Sequence, residues 1–267
     1  MPAHHVFGFH AASAALASVV PFFAAMVGRG GTDRPDDEAA VIADLVLANR
    51  ILFDQGVVDG FGHVSVRHPT NPNRYFLSRS LAPGLVTAAD IVEFTLDSEP
   101  VDARGQTLYT ERFIHGEIYR ARPDVKAVVH SHSPSVIPFG VSVVPLRPIY
   151  HMSSFIGAGA PVFEIRKVSG MTDMLVRTGE QGRALAKTLA DNAVALMRGH
   201  GSVAVGETLP QVVYRGIYTE LNARLQAEAL RLGPVTYLEP EETVKATATN
   251  NASLGRAWEL WKRRVTE

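Results

Sequence analysis

Two periods of apolar positions alternate along this chain, and the switches between them outline its elements. Val41, Ile42, Leu45, Val46, Ala48 and Leu52 recur at helical spacing and predict an amphipathic helix over Asp37–Phe53, capped by Asp36 or Asp37. Gly60-Phe-Gly-His-Val-Ser-Val-Arg67 reads as a glycine turn opening a strand, with Tyr75–Leu77 as its hairpin partner. Ile91–Leu96 and Pro100–Val101 follow as short strands. A helix over Glu111–Ala121 is closed by Arg122-Pro123-Asp124, where proline bars continuation. Val125–Ser131 is apolar and β-branched, the mark of a buried strand. Ser142–Leu146 and Pro161–Ile165 read as further strands. Thr178–Asp191 reads as an amphipathic helix, Ala193–Met197 as a core strand and Pro210–Leu232 as a long helix. Beyond Gly233–Pro240, Trp258 and Trp261 share one side of a last helix, so both rings pack against the body or a neighbouring subunit.

Helices and strands mix without a regular βαβ repeat, and the strands are short. That combination predicts a single α/β domain, a central and largely antiparallel sheet covered by helices. The N-terminal stretch stands apart. Residues 1–28 carry no Lys, Arg, Asp or Glu, and Ala11–Val27 is mostly apolar. No basic region precedes it, His4, His5 and His10 do, and Pro21 interrupts it. It therefore fits a packed N-terminal arm better than a signal peptide. It is also short for a membrane span. Gly28–Pro35 reads as the linker into the domain. The expected location is the cytoplasm, with an N-terminal targeting segment kept open.

Composition narrows the chemistry. The 267 residues are 46% hydrophobic and 20% charged with a net charge of −1, the profile of an ordinary globular protein with no nucleic-acid surface. Lys262-Arg263-Arg264 is the longest basic run and reads as a solvated helix face. There is no cysteine, which removes disulfides, thiolate ligands and a cysteine nucleophile together. A metal here must be held by His, Asp or Glu.

His130 and His132 close the buried strand two residues apart, so both imidazoles leave it on one face. Such a pair suits a divalent metal with nitrogen ligands. The third candidate is His200 in Arg198-Gly-His-Gly201, placed where a core strand meets a loop, with glycines that let the backbone come close. Three neutral imidazoles leave an open coordination position, as catalytic sites do. Each histidine alone is as readily a packed core residue; the spaced set favours the metal. Glu111 opens the helix that feeds the His130 strand, either as a helix-dipole carboxylate or as an acid/base beside the metal. His115, one turn later, reads as structural. Arg79, between Ser78 and Ser80, suits a carboxylate or phosphate, or is an ordinary turn arginine. His63 in the glycine turn and His151 in Pro148-Ile-Tyr-His-Met152 add polar groups beside apolar segments.

Taken in order, Glu111, Arg122-Pro-Asp-Val-Lys-Ala-Val-Val-His-Ser-His132 and Gly199-His-Gly201 resemble the class II aldolase/adducin family, with Gly62-His-Val-Ser-Val-Arg67 similar to its early glycine motif. The resemblance spans roughly residues 38–232. It implies a three-layer α/β/α fold around a mostly antiparallel sheet, and a homotetramer with active sites near subunit interfaces. Residues 1–36 would be an arm and linker, 37–240 the catalytic domain and 241–267 a helical tail. The resemblance assigns His130, His132 and His200 to a divalent metal, zinc or manganese first, with iron or cobalt as further options. It makes Glu111 the acid/base. The family's sugar-phosphate aldolases carry asparagine where His63 stands. Their phosphate-cradling Thr-Gly and Ser-Ser pairs match Ser80-Leu81 and Tyr109-Thr110. Those exchanges, Ser-Arg-Ser and Tyr-His-Met together resemble the decarboxylase branch, which acts on hydroxylated aromatic or pyridine dicarboxylates.

The expected function is thus a metal-dependent carbon–carbon lyase, a decarboxylase of a small carboxylate. In it the metal takes the substrate hydroxyl and one carboxylate, while Arg79 takes the second carboxylate with Ser78 or Ser80. His63 and Thr110 complete the substrate contacts, and Glu111 or His151 protonates the carbon. A true aldolase would yield an aldehyde or keto product instead. A three-histidine Fe(II) oxygenase would consume oxygen, and a non-catalytic adducin-like module need not keep the four positions.

Overall fold

The computed structural model describes Met1 and residues 35–267, so the expectations for the N-terminal arm and most of its linker lie outside the described residues. The described residues from Pro35 to Glu267 form one compact unit. Within it, α1 (Pro35–Asp54) leads into β1 (His63–Arg67), β2 (Arg74–Ser78) and β3 (Ile91–Thr95). Next come α2 (Phe113–Ala121), β4 (Ala127–Ser131), α3 (Ile137–Val141), β5 (Val162–Phe163), α4 (Arg166–Ser169) and α5 (Gly179–Leu189). A hairpin of β6 (Val194–Met197) and β7 (Gly201–Gly206) is followed by α6 (Leu209–Leu232), α7 (Pro240–Asn251) and α8 (Leu254–Thr266).

The strands form one sheet in the order β3-β2-β1-β4-β7-β6-β5. Every pairing is antiparallel except β5 with β6. Alternate residues of each strand face two separate cores. Val64, Val66 and Val129 join Leu45, Ile217 and Trp258 of α1, α6 and α8. Tyr75, Leu77 and Val128 join Ile114, Ile118 and Leu185 of α2 and α5. The fold is therefore the expected three-layer α/β/α arrangement. By this alternation His130 shares its face with Val128, on the α2 side. Gly182 lets α5 lie close on α2, since a Cβ there would stand 2.5 Å from the Phe113 carbonyl oxygen.

Three elements differ from expectation. Ser142–Leu146 is not a strand. Side chains of α6 bind the chain around and just after it: Gln226 donates to Pro145 O and accepts from Arg147 N, while Asn222 donates to Arg147 O and accepts from Ile149 N. Those backbone groups are satisfied without a neighbouring strand. Pro100–Val101 makes only a bridge to Phe94 and one bond to Glu93. The segment after His200, expected as loop, is strand β7, paired on both sides. The tail is part of the body, since Trp258 and Trp261 are buried in the α1/α6 core. Among the described residues, no helix is long and apolar enough to cross a membrane.

Candidate active site

Three adjacent strands bring the histidines together. β4 delivers His130 and, just past its end, His132. β6 and β7 are joined by Arg198-Gly199-His200, a three-residue hairpin loop with Gly199 at φ +65°, the left-handed conformation such a loop requires. Gly201 then lies against β4 so closely that a Cβ would stand 2.1 Å from the Ser131 carbonyl oxygen. The two glycines of Gly-His-Gly thus have different tasks, one turning the chain and the other setting the strand spacing. Glu111 sits in the 3₁₀ turn Thr110–Arg112 at the head of α2, with its Oε1 accepting from Val176 N at 2.9 Å.

These placements converge on one point. His132 Nε2 is 3.1 Å from His130 Nε2 and 3.1 Å from His200 Nε2. Glu111 Oε2 is 3.4 Å from both His130 Nε2 and His200 Nε2. All four ligand atoms lie within 4.8 Å of one another. Tetrahedral ligands at about 2.0–2.1 Å from an ion stand roughly 3.3 Å apart, so the donors have the spacing of a divalent metal site. Their chemistry fits as well. Nδ1 of His130 is 3.1 Å from the Ser202 carbonyl oxygen, to which it donates, turning a lone pair on Nε2 toward the cluster. Burial first, then the neighbouring His130 and His200, lowers His132 to about 4, so it stays a neutral ligand. Burial raises the Glu111 carboxyl, but His130 and His200, where they are protonated beside it, outweigh burial and hold it far below the usual range.

Glu111, His130 and His132 of the cluster line a cleft of 390 Å³, together with Phe61, His63, Ser80, Leu81, Tyr109, Thr110 and Leu175. That volume suits one small-molecule substrate. Tyr109 donates its hydroxyl to the Leu81 carbonyl, so its ring is presented as a wall. Phe61 stands 69% exposed at the mouth, its ring centroid 6.4 Å from that of His132. A larger cavity of 520 Å³, lined in part by Arg122, Glu207 and Arg215, holds none of these groups.

Of the expected substrate residues, His63, Ser80 and Thr110 line the cleft. Ser78 is fully buried at the end of β2 and is not part of the lining of the cleft. Arg79 does not line it: Asp90, fixed by Thr87, takes the guanidinium at 2.6 Å. His151 is also elsewhere, exposed in the 3₁₀ segment His151–Ile156, with its carbonyl accepting from Asn250 of α7. Sequence reasoning missed Phe61, Tyr109 and the polar partners of His115. The available signal was helical spacing, since Glu111, His115 and Tyr119 stand four apart on one helix side.

The Class II Aldolase and Adducin N-terminal domain model matches residues 43–227. Decarboxylase tropJ of Talaromyces stipitatus is 40% identical over 239 residues, covering 80% of this chain and 90% of that protein. The 3,4-dihydroxyphthalate decarboxylase of Arthrobacter keyseri is 29% identical over 219 residues, 76% of this chain and 84% of that one. The L-fuculose 1-phosphate aldolase of Glaciozyma antarctica superposes with a TM-score of 0.72 at 20% identity, over 89% of this chain and 93% of that one, a likeness of fold. With the matched segment carrying both the three-histidine cluster and Glu111, the chain belongs to the class II aldolase and adducin family, in its decarboxylase branch, and is a lyase.

Proposed function

We propose that this lyase removes carbon dioxide from a hydroxylated aromatic or pyridine dicarboxylate. The observation that carries the proposal is the cleft wall. Leu81 and Tyr109 line it at the positions that match the phosphate cradle of the sugar-phosphate aldolases, and Phe61 and Leu175 extend it as an apolar surface for a flat ring.

Breaking the bond to a ring carboxylate leaves an electron pair on carbon. A divalent metal held by His130, His132 and His200, zinc or manganese first with iron or cobalt as alternatives, supplies a Lewis acid for the substrate oxygens that take up this charge. Glu111 is ionised and within reach of the same point, so it accepts the proton of the substrate hydroxyl and returns it to the carbon as carbon dioxide leaves. Ser80 and Thr110 offer hydroxyls to the remaining carboxylate. Arg79, engaged by Asp90, is left out of that contact. A homotetramer with sites near its interfaces completes the proposal. His151 is exposed and away from the cluster of its own chain, so it serves a site only across an interface.

Elemental analysis of the purified protein, then a carbon-dioxide release screen over dihydroxyphthalates and hydroxypyridine dicarboxylates, tests this. About one bound metal per chain with metal-dependent release is expected. Aldehyde or keto products without carbon dioxide would make the protein an aldolase.

A further inference from the structure

From His63 at the cleft, a file of hydrogen bonds runs into the core. His63 Nδ1 is 2.6 Å from His115 Nε2, His115 Nδ1 is 2.6 Å from Ser65 Oγ, and Ser65 Oγ is 2.7 Å from the Tyr119 hydroxyl. The four side chains come from two elements, β1 and α2, packed face to face. All are buried, at 4% for His63, 0% for His115 and Ser65 and 1% for Tyr119. Among the described residues, no carboxylate hydrogen-bonds either ring, so neither has the acidic partner that would hold it protonated.

A file of neutral groups with one proton to each bond has three arrangements; in one, Ser65 accepts from both Tyr119 and His115 Nδ1–H, which leaves its own O–H without an acceptor in the file, and the other two run in a single direction. In the first of those two, Tyr119 O–H donates to Ser65, Ser65 O–H to His115 Nδ1, and His115 Nε2–H to His63 Nδ1. His63, which lines the cleft, then carries its own proton on Nε2, a nitrogen with no partner among the described residues and not sealed from solvent. In the second every donor is reversed, both rings carry their protons on Nδ1, and the Tyr119 O–H has nothing to bond. Ser65 Oγ is the one acceptor within reach of that hydroxyl among the described residues. A buried O–H without an acceptor is a costly defect, so the first polarity prevails. Burial, ahead of all other causes, raises Tyr119 far above the ordinary tyrosine range, so the phenol keeps the proton that sets the direction. Arg67 secures the geometry: it donates to the Tyr119 carbonyl at 2.7 Å and stacks 4.7 Å over the Tyr119 ring, tying α2 to β1.

We propose that Tyr119, Ser65 and His115 are positioning residues that hold His63 with its proton on Nε2, so that His63 donates a hydrogen bond to an oxygen of the bound substrate. A fixed donor at this edge of the cluster selects substrates with a carboxylate or phenolate oxygen there and disfavours those offering a hydroxyl donor in the same place. The substrate class rests on the decarboxylase proposal above; the tautomer does not.

Long-range proton–nitrogen spectra of the zinc-loaded, histidine-labelled protein read the tautomers directly, with His63→Gln used for assignment. The expected result is a proton on Nε2 of both His63 and His115, in at least about tenfold excess. Protons on Nδ1 of both rings would overturn the proposal. Phthalate is the binding probe, and it needs no turnover. The His63 N–H resonance should move on addition, and a resonance that stays in place while phthalate binds would overturn the donor role. His115→Leu should weaken phthalate binding about tenfold, and His115→Gln, which keeps an N–H at the position of Nε2, should restore it to within about threefold. If carbon dioxide is never released while these results hold, the decarboxylase proposal fails and the tautomer lock stands.

Discussion

The most exacting mechanical prediction concerns Gly201. In the β4–β7 pair its Cα faces the Ser131 carbonyl so closely that an added Cβ would lie 2.1 Å from that oxygen and 3.1 Å from His132 Cα. Ordinary contact needs about 3.5 Å, so Gly201→Ala forces the strands apart by roughly 1.4 Å. Overpacking of this kind costs about 1–3 kcal/mol, and here the contact is backbone on both sides, which places it near 3. At about 2–4 °C per kcal/mol for a domain of this size, Tm should fall by about 6–12 °C. The displaced segment carries His132 and adjoins His200, and metal ligands tolerate only about 0.2 Å of misplacement. Metal affinity should therefore fall by about 10–100-fold. Calorimetry with and without zinc measures both. Gly255→Ala is the control, because nothing lies within 4 Å of its added Cβ and it sits in α8, so it should leave Tm unchanged or slightly raised. A Gly201→Ala protein with unchanged Tm and metal affinity would refute the claim that this glycine sets the spacing of the ligand strands.

Other consequences are simpler to test. Glu111→Gln keeps the fold and the three imidazoles, so metal content should persist while kcat falls about 10²–10⁴-fold; unchanged turnover would remove Glu111 from proton transfer. Arg79→Ala breaks a partly exposed pair with Asp90, so it should cost about 1 kcal/mol of stability or less and leave KM within twofold. A KM raised about tenfold or more would return Arg79 to the substrate. Burial, reinforced by the nearby His130, holds His115 at about 3 against 6.5 in the unfolded chain. Below pH 6.5 the unfolded chain thus binds the extra proton, and stability falls as pH falls toward 3, by up to about 1.4 kcal/mol per pH unit from this residue. His115→Gln should make the denaturation slope shallower across that window, and a slope equal to wild type would contradict the assignment.

How far the sequence spoke for itself varied with the kind of signal. His130 and His132 were legible because a strand has a period of two, so spacing alone puts both rings on one face. His200 was legible as a ligand candidate, yet its surroundings were misread. The glycines on either side of His200 look like loop, whereas Gly199 turns the chain at positive φ and Gly201 already belongs to β7, required by close contact with β4. The false strand at Ser142–Leu146 arose because β-branched residues invite pairing, while the satisfying partners, Asn222 and Gln226, lie far along the chain on α6. The partner of Arg79 was hidden for a similar reason: no local pattern shows that Asp90 will stand beside it. Of the buried file behind His63, only the four-residue spacing of His115 and Tyr119 was legible; its crossing to His63 and Ser65 appears once β1 and α2 are set together.

The central claim is that the cluster serves decarboxylation. It is tested most directly by following carbon dioxide and remaining substrate together for a dihydroxyphthalate, with zinc- or manganese-loaded wild type and with His130→Ala. One carbon dioxide per substrate consumed is predicted for the loaded wild type, and neither metal retention nor release for the variant. Release by the variant at the wild-type rate, or substrate loss without carbon dioxide in the wild type, would contradict it.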